Sequence, residues 1–412
     1  MKDNKENLVA VTGIGMICPL GITTDECWGN MLEGKSGIRK ITRFDASECL
    51  TRIAGEIPDK YFQMEKAALS PGVYKRCLLP SRLSMVSAEQ AVKDAGIDLD
   101  NIDKSRVGVI SGCGGSIPGD LIVNMEHRHL FPHEMLNALP ASVSVEFGFK
   151  GPSFNVAVSC ASGAFAVGLA YDYVRRTGDL CIAIGIDTMV HKDTIDGFNR
   201  LMALSEKNEL PEKASRPFDR KRSGFVISEG ACAVLLESYE HAIRRGARIY
   251  AAISGAAFTS EAFNIIAPEP EGRCMAETMA SAIKNAGISK EKIGYISAHG
   301  TSTLHNDLAE TKAIKRIFGS DAYSIPVSSQ KSMTGHCIGA SGAIEFAVTA
   351  LSLHNQIVTP TINYEAPDPE CDLDYVPNMA RKVHSLETAM TNSFGFGGHN
   401  STIILERHHA IP

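Results

Sequence analysis

No stretch of this 412-residue chain is apolar for long enough to cross a bilayer, since a spanning helix needs ~20 such residues. Its opening residues, Met1-Lys2-Asp3-Asn4-Lys5-Glu6-Asn7, lack the apolar core of a signal peptide. Positive charge is in short supply. The 41 Lys and Arg against 47 Asp and Glu leave a formal net charge of −6, so the basic face that nucleic-acid phosphates demand is missing. Cysteine is present, but its 11 copies are odd in number and scattered without paired spacing, which excludes a disulfide framework and favours reduced thiols. No linker and no sequence repeat are visible. These absences predict a soluble, cytoplasmic protein that binds neither nucleic acid nor membrane.

What remains is the composition of a packed globular protein. Hydrophobic residues are 44% and charged residues 21%, ordinary values for a chain with a sizeable core, and the length admits roughly two to three domains. Apolar runs of strand length alternate with helical segments: 8–13, 106–111, 153–159, 180–185 and 231–237, then 249–256, 294–298, 324–328 and 401–405. That order predicts an α/β fold. A Gly-x-Gly passage at Gly13-Ile14-Gly15 imitates a dinucleotide fingerprint, but Cys18 and Pro19 stand where its third small residue belongs; a tight turn is expected instead. Gly112, Gly114 and Gly115, like Gly395, Gly397 and Gly398, are read as turn formers. Glu126, His127, His129 and His133 match no zinc spacing, so no metal site is expected. Arg175-Arg176 and Arg244-Arg245, with Gly178 and Gly246 close behind, read as basic last turns of helices.

Three segments carry chemistry. Cys160 closes an apolar run, Phe154-Asn155-Val156-Ala157-Val158-Ser159, and opens a run of small residues, Ala161-Ser162-Gly163-Ala164. A strand therefore delivers a thiol to a helix N-terminus, where free N–H groups and the helix dipole are expected to lower its pKa and to hold an oxyanion. On this segment alone a small buried hydrophobe fits as well as a nucleophile. His299, in Ser297-Ala298-His299-Gly300-Thr301-Ser302-Thr303, and His336, in Lys331-Ser332-Met333-Thr334-Gly335-His336, each follow a strand-like run and precede a helical one. Both are thus expected at the carboxyl ends of strands, where open α/β sheets bind ligands. One thiol with two such imidazoles reads as acyl transfer through a thioester.

Together with Val9-Ala10-Val11-Thr12-Gly13-Ile14-Gly15-Met16, Ile41-Thr42-Arg43-Phe44-Asp45-Ala46-Ser47, Gly151-Pro152-Ser153, Arg216-Pro217-Phe218-Asp219 and Asn392-Ser393-Phe394-Gly395-Phe396-Gly397-Gly398, these motifs extend over nearly the whole chain. In that order they make it resemble a β-ketoacyl-acyl-carrier-protein synthase of the thiolase superfamily, nearest the type II (FabF-like) elongating enzymes. The resemblance implies a five-layered α-β-α-β-α fold with two pseudo-duplicated halves: 1–250 with the nucleophile and 251–412 with both histidines. It implies an acyltransferase that works as a homodimer, a heterodimer being the other arrangement, with acyl carrier protein as partner. No cofactor is expected beyond the phosphopantetheine on which the substrates ride. The implied reaction passes an acyl group to Cys160; malonyl carrier protein then loses CO2, and the resulting enolate attacks the acyl-enzyme.

By the same resemblance His299 and His336 hold the enolate oxygen, Lys331 and Glu345 support them, and the N–H groups of Cys160 and Phe396 form an oxyanion site. Thr301 and Thr303 bond the pantetheine amides. Phe396 gates the acyl pocket on its glycine hinge, Gly395 and Gly397, while Phe198 and Cys113 complete the substrate-binding set. A basic rim of Lys75, Arg76, Arg43 and Arg200 is expected to meet an acidic carrier. The chain departs from the family pattern at Leu78 (usually Asp), Met202 (Arg), Ser223 (Asp) and Ser228 (Gly), and Pro140 is expected to interrupt a helix. Such drift fits a specialised polyketide or lipid pathway at least as well as housekeeping fatty-acid synthesis. The alternative is a non-catalytic subunit resembling a chain-length factor, against which retention of the thiol and both histidines counts. A thiolase lacks support, because no second cysteine stands in the acid/base position.

Overall fold

The structure, a computed structural model, describes residues 8–115, 131–177 and 180–409. Ten strands share one sheet: β1 (Val9–Ile17), β2 (Val107–Gly112), β3 (Ser153–Val156), β4 (Leu180–Thr188), β5 (Glu229–Ser238), β6 (Ala251–Ser260), β7 (Tyr295–Ser297), β8 (Val327–Ser328), β9 (Thr388–Gly395) and β10 (His399–Glu406). Their order is β8-β7-β9-β10-β6-β1-β5-β4-β2-β3. Each set of five follows the same path. Its first strand pairs antiparallel with its fifth, the fifth antiparallel with the fourth, the fourth parallel with the second, and the second parallel with the third. The sets join where β1 and β6 pair antiparallel at Val9–Ile253, Ala10–Ala252 and Val11–Ala251.

Helices complete five layers. On the outer face of the first set lie α1 (Leu79–Ala95), against β1 and β5, and α2 (Ala138–Phe147), against β2 and β3. Between the sets lie α3 (Ser162–Thr177) and, from the second half, a helix numbered α6 below. On the outer face of the second set α4 (Arg273–Ala286) covers β6 and β10, and α5 (Leu304–Phe318) packs on α4. The last, α6 (Ser341–Asn355), touches strands of both sets and α3. A helix apolar all round belongs in a core, and Ser341 through Leu353 of α6 are all buried. Small residues let the pair approach. A Cβ on Gly163 would lie 2.5 Å from the Gly339 carbonyl oxygen, and one on Gly342 would lie 2.6 Å from the Ala164 nitrogen.

Several expectations change. Gly13 and Gly15 lie inside β1 rather than in a turn; side chains there would overlap the Ala91 and Ser87 carbonyls of α1. Gly112 and Gly114 also serve close approach, facing the carbonyls of Ser162 and Ser159. Gly397 (φ 83°) and Gly398 (φ 72°) do turn the chain. Pro140 does not break α2, because it stands in the first turn, where a missing N–H breaks no intrahelical bond. Leu78 occupies the N-cap of α1 without a side-chain cap bond. Glu126, His127, His129 and Gly178 lie outside the described residues, and within these no group of three or more His, Cys, Asp or Glu is placed to hold a metal. No helix among them is long and apolar enough to cross a membrane.

Candidate active site

Cys160 sits in the turn Ser159–Ala161, between β3 and the start of α3. The preceding residue, Ser159, is held at φ 53°, an uncommon conformation for a residue with a Cβ. The thiol is only 6% exposed. Burial pushes it above the ordinary thiol range, against the pull of the Ser159 hydroxyl, the Lys331 charge and the Phe396 N–H. Desolvation thus works against the thiolate that a helix terminus favours. The hairpin β9–β10 turns through Phe396, Gly397 and Gly398 beside this thiol. A Cβ on Gly395 would stand 3.3 Å from the Cys160 nitrogen, 3.1 Å from the Ala161 nitrogen and 2.8 Å from the Val158 oxygen. The glycine leaves open the space beside the Cys160 nitrogen, while the Ala161 N–H is taken up by the Val158 carbonyl at 3.2 Å.

His299 lies two residues beyond β7, as expected, and its backbone is anchored by Glu310 of α5. The carboxylate accepts the His299 N–H at 2.9 Å and the Gly300 N–H at 2.8 Å, while burial pushes it up to about 7. His336 is not at the end of a strand: the short helix Lys331–Thr334 separates it from β8. Its backbone pairs instead with the segment before β5, donating to the Val226 oxygen (2.7 Å) and accepting from the Ser228 N–H (2.9 Å). The imidazoles face edge to face at 5.5 Å between centroids and 83° between planes.

Lys331, fully buried, donates to the His299 carbonyl oxygen (2.6 Å), to His299 Nδ1 (3.3 Å) and to Glu345 Oε1. An ammonium can only donate. His299 Nδ1 therefore accepts, and the ring proton resides on Nε2. His336 Nδ1 is 3.0 Å from the Ser341 hydroxyl, and its buried Nε2 has no partner among the described residues. Burial, reinforced by Lys331, holds both imidazoles well below their usual pKa. They are neutral at neutral pH. Burial pushes Glu345 up to about 7, opposed by Lys331.

A cavity of about 490 Å³ joins Cys160, His299, His336, Thr301, Thr303, Gly395 and Phe396. The Oγ1 atoms of Thr301 and Thr303 are 2.8 Å apart. Lys331 and Glu345 stand behind the histidines, and Phe198 packs on Phe396 (6.3 Å between centroids) and Phe225 (5.3 Å). Gly397 belongs to the same hairpin. Cys113 is not brought into this wall; its sulfur lies 3.5 Å from Asp187 Oδ1. The mouth is apolar, with Met202 87% and Leu304 55% exposed beside Leu201 and Ile266. Of the expected basic rim, Arg200 ends a helix just before that mouth, while Lys75 and Arg76 lie exposed on the short helix Pro71–Arg76. Arg43 does not belong to it. Its guanidinium is held by Glu229 (3.0 Å) and the Ile57 carbonyl (2.9 Å) and stacks on Phe62.

Sequence reading passes over Glu310, Ser341, Asp187 and the wall residue Arg222, which pairs with Asp368 at 2.6 Å and approaches Asp307 at 3.7 Å. Only the pairing of Asp307 and Glu310 one turn apart on a helix behind His299 hinted at such support.

Residues 6–242 match the family described as Beta-ketoacyl synthase, N-terminal domain, and residues 250–365 match its C-terminal domain. The chain belongs to the β-ketoacyl synthase family. Among its relatives in that family is the 3-oxoacyl-[acyl-carrier-protein] synthase 2 of Coxiella burnetii, 40% identical over 410 residues that cover 97% of this chain and 98% of the relative. A β-ketoacyl synthase from Burkholderia phymatum STM815 superposes with a TM-score of 0.89 at 31% identity, covering 97% of this chain and 99% of that one. A similar structure, with a TM-score of 0.85 and 33% identity over 97% of this chain and 99% of that one, is described as a type II PKS acyl-carrier protein in complex with its ketosynthase. The five-layered α/β architecture is the one this synthase shares with these neighbours.

Proposed function

We propose that this synthase catalyses a decarboxylative Claisen condensation: an acyl thioester, held on Cys160, is extended by malonyl-acyl carrier protein to a β-ketoacyl-acyl carrier protein. The pathway is fatty-acid synthesis or specialised polyketide or lipid synthesis. In the first half, the Cys160 sulfur attacks the carrier-bound thioester, and its proton leaves with the released pantetheine thiol. The N–H groups of Cys160 and Phe396 receive the oxyanion. In the second half, malonyl thioester loses CO2, and its enolate oxygen accepts the Nε2–H of His299 and, with Ser341 as donor to Nδ1, that of His336. Donors set in place for charge that develops during reaction are the strongest lever on such a step. The enolate carbon then bonds to the acyl carbon, and the Cys160 sulfur departs.

The observation that carries this reading is one cavity holding a thiol and two neutral imidazoles, one with a buried, unpartnered Nε2. A chain-length-factor role would leave that set without a task. Thr301 and Thr303 are assigned to the pantetheine amides, Phe396 to the gate with Gly395 and Gly397 as its hinge, and Phe198 to the gate's backing. The carrier protein docks at the mouth, and the reaction uses no further cofactor. A homodimer is supported by β3, an edge strand whose Phe154 is 41% exposed; such an edge is a template for pairing with a second copy. Eleven free cysteines suit the cytoplasm. The test is mass spectrometry after incubation with acyl carrier proteins of graded chain length. An acyl adduct is expected on Cys160 and absent from Cys160→Ala, whereas acylation of that variant at another residue would refute the assignment.

A further inference from the structure

We infer that Asp187 is a positioning residue that clamps the turn carrying Cys160 to the loop carrying His336, across the two halves of the fold. It is the penultimate residue of β4 and is 2% exposed. One carboxylate oxygen, Oδ2, accepts the Gly339 N–H at 2.8 Å and the Gly114 N–H at 3.0 Å; the other, Oδ1, lies 3.5 Å from the Cys113 sulfur. No Lys or Arg lies within ion-pair distance among the described residues. A buried carboxylate satisfied by two backbone N–H groups and a thiol, with no cation beside it, fixes the positions of the backbone that supplies them.

One of those N–H groups belongs to a strained segment, and the other to a loop packed against a second one. Gly339 follows Ile338, a β-branched residue held at φ 44°, and both stand between His336 and Ser341, the hydroxyl that orients the His336 ring. Gly114 packs against the carbonyl of Ser159, the residue at φ 53° before Cys160. The two loops also touch directly: a Cβ on Gly339 would stand 2.5 Å from the Gly114 nitrogen. Conformations of this kind persist only where their surroundings over-determine them. Asp187 is bonded to the first of them and to the Gly114 loop that packs on the second. Its charge also reaches the nucleophile, raising the Cys160 thiol.

The inference rests on the assignment of His336 to decarboxylation, and the test separates the two. Asp187→Asn keeps the size, but its neutral amide oxygen is a weaker acceptor for the Gly339 and Gly114 N–H groups, and its N–H2 replaces Oδ1 beside the Cys113 sulfur. We expect a cooperatively melting protein that loads Cys160 within about threefold of wild type, while CO2 release from malonyl carrier protein falls on the order of tenfold to a hundredfold, the scale of a small misplacement of reacting groups. Alkylation of Cys160 by iodoacetamide, which needs no carrier protein, should reach its midpoint at lower pH, since a nearby negative charge is gone; hydration of the thiol by looser packing would move it the same way, and Asp187→Glu, which keeps the charge, separates the two causes. Asp187→Glu keeps the charge and lengthens the reach, so CO2 release should fall while the alkylation midpoint stays. That variant decides if Asp187→Asn does not fold. CO2 release within about twofold of wild type in either folded variant overturns the clamp. A wild-type protein that releases no CO2 overturns the reading of His336 instead, and leaves the alkylation comparison standing.

Discussion

All three hydrogens of the Lys331 ammonium have acceptors, on His299 and Glu345, so the group has no capacity left to touch substrate. Its influence is electrostatic. Positive charge beside an imidazole disfavours imidazolium, and Lys331 lowers both His299 and His336 below their usual value. Lys331→Met should let both rise toward 6.5. Because the neutral ring is the donor, the acid limb of CO2 release should move to higher pH, read from rate profiles between pH 5 and 8. An acid limb that stays in place contradicts the role. The same change strands Glu345, and losing one member of a buried ion pair costs about 3–5 kcal/mol, visible as a lowered melting temperature. Cys160, His299 and His336 are legible in the sequence because residue type and neighbours mark them, and Lys331 and Glu345 only through the resemblance to the family. Glu310, Ser341 and Asp187 are not. They act through backbone N–H groups or a second atom of a ring, at separations set by the fold. Arg43 misleads in the opposite sense, since a charge in a loop does not reveal that Glu229 already holds it.

The hairpin β9–β10 brings the Phe396 N–H toward the turn after β3, where the proposed oxyanion site lies. Gly395 is not at positive φ, so its backbone accepts alanine; only space forbids it. A methyl there would intrude on the Cys160 and Ala161 nitrogens. A Cβ there would also stand 2.8 Å from the Val158 carbonyl oxygen, so Gly395→Ala should melt below wild type and, where folded, lose about 10²–10³ in kcat for condensation, the scale of one lost oxyanion donor. Wild-type kcat in a folded variant would show that the oxyanion sits elsewhere. β9 itself is the strand that apolar runs do not predict. Thr391, Asn392 and Ser393 occupy its buried middle, and Asn392 is satisfied by Thr402 at 2.8 Å and Glu310 at 3.4 Å. Burial with polar partners erases the signal on which strand reading depends. The strands built from Val, Ile, Leu and Ala, such as β4 and β5, are legible for the converse reason.

At the scale of the whole molecule, the active site lies at the seam between two sets of strands that repeat one path. The first half supplies the thiol, in the turn before α3; the second supplies both imidazoles and Phe396. Neither half holds the set alone, so the arrangement depends on the small-residue contact between α3 and α6 and on the bonds that cross it. The duplication is invisible as a sequence repeat because a fold constrains patterns of small, apolar and β-branched positions rather than identities, and the two halves now do different chemistry. The central claim is that the two imidazoles serve the decarboxylating half of the reaction. The most direct measurement compares wild type with His336→Ala in successive single turnovers, first loading Cys160 from acyl carrier protein, then following CO2 from malonyl carrier protein. The expected result is an undiminished acyl adduct on Cys160 with CO2 release lower by roughly two or more orders of magnitude. Unchanged CO2 release, or loss of the acyl adduct itself, would contradict the account.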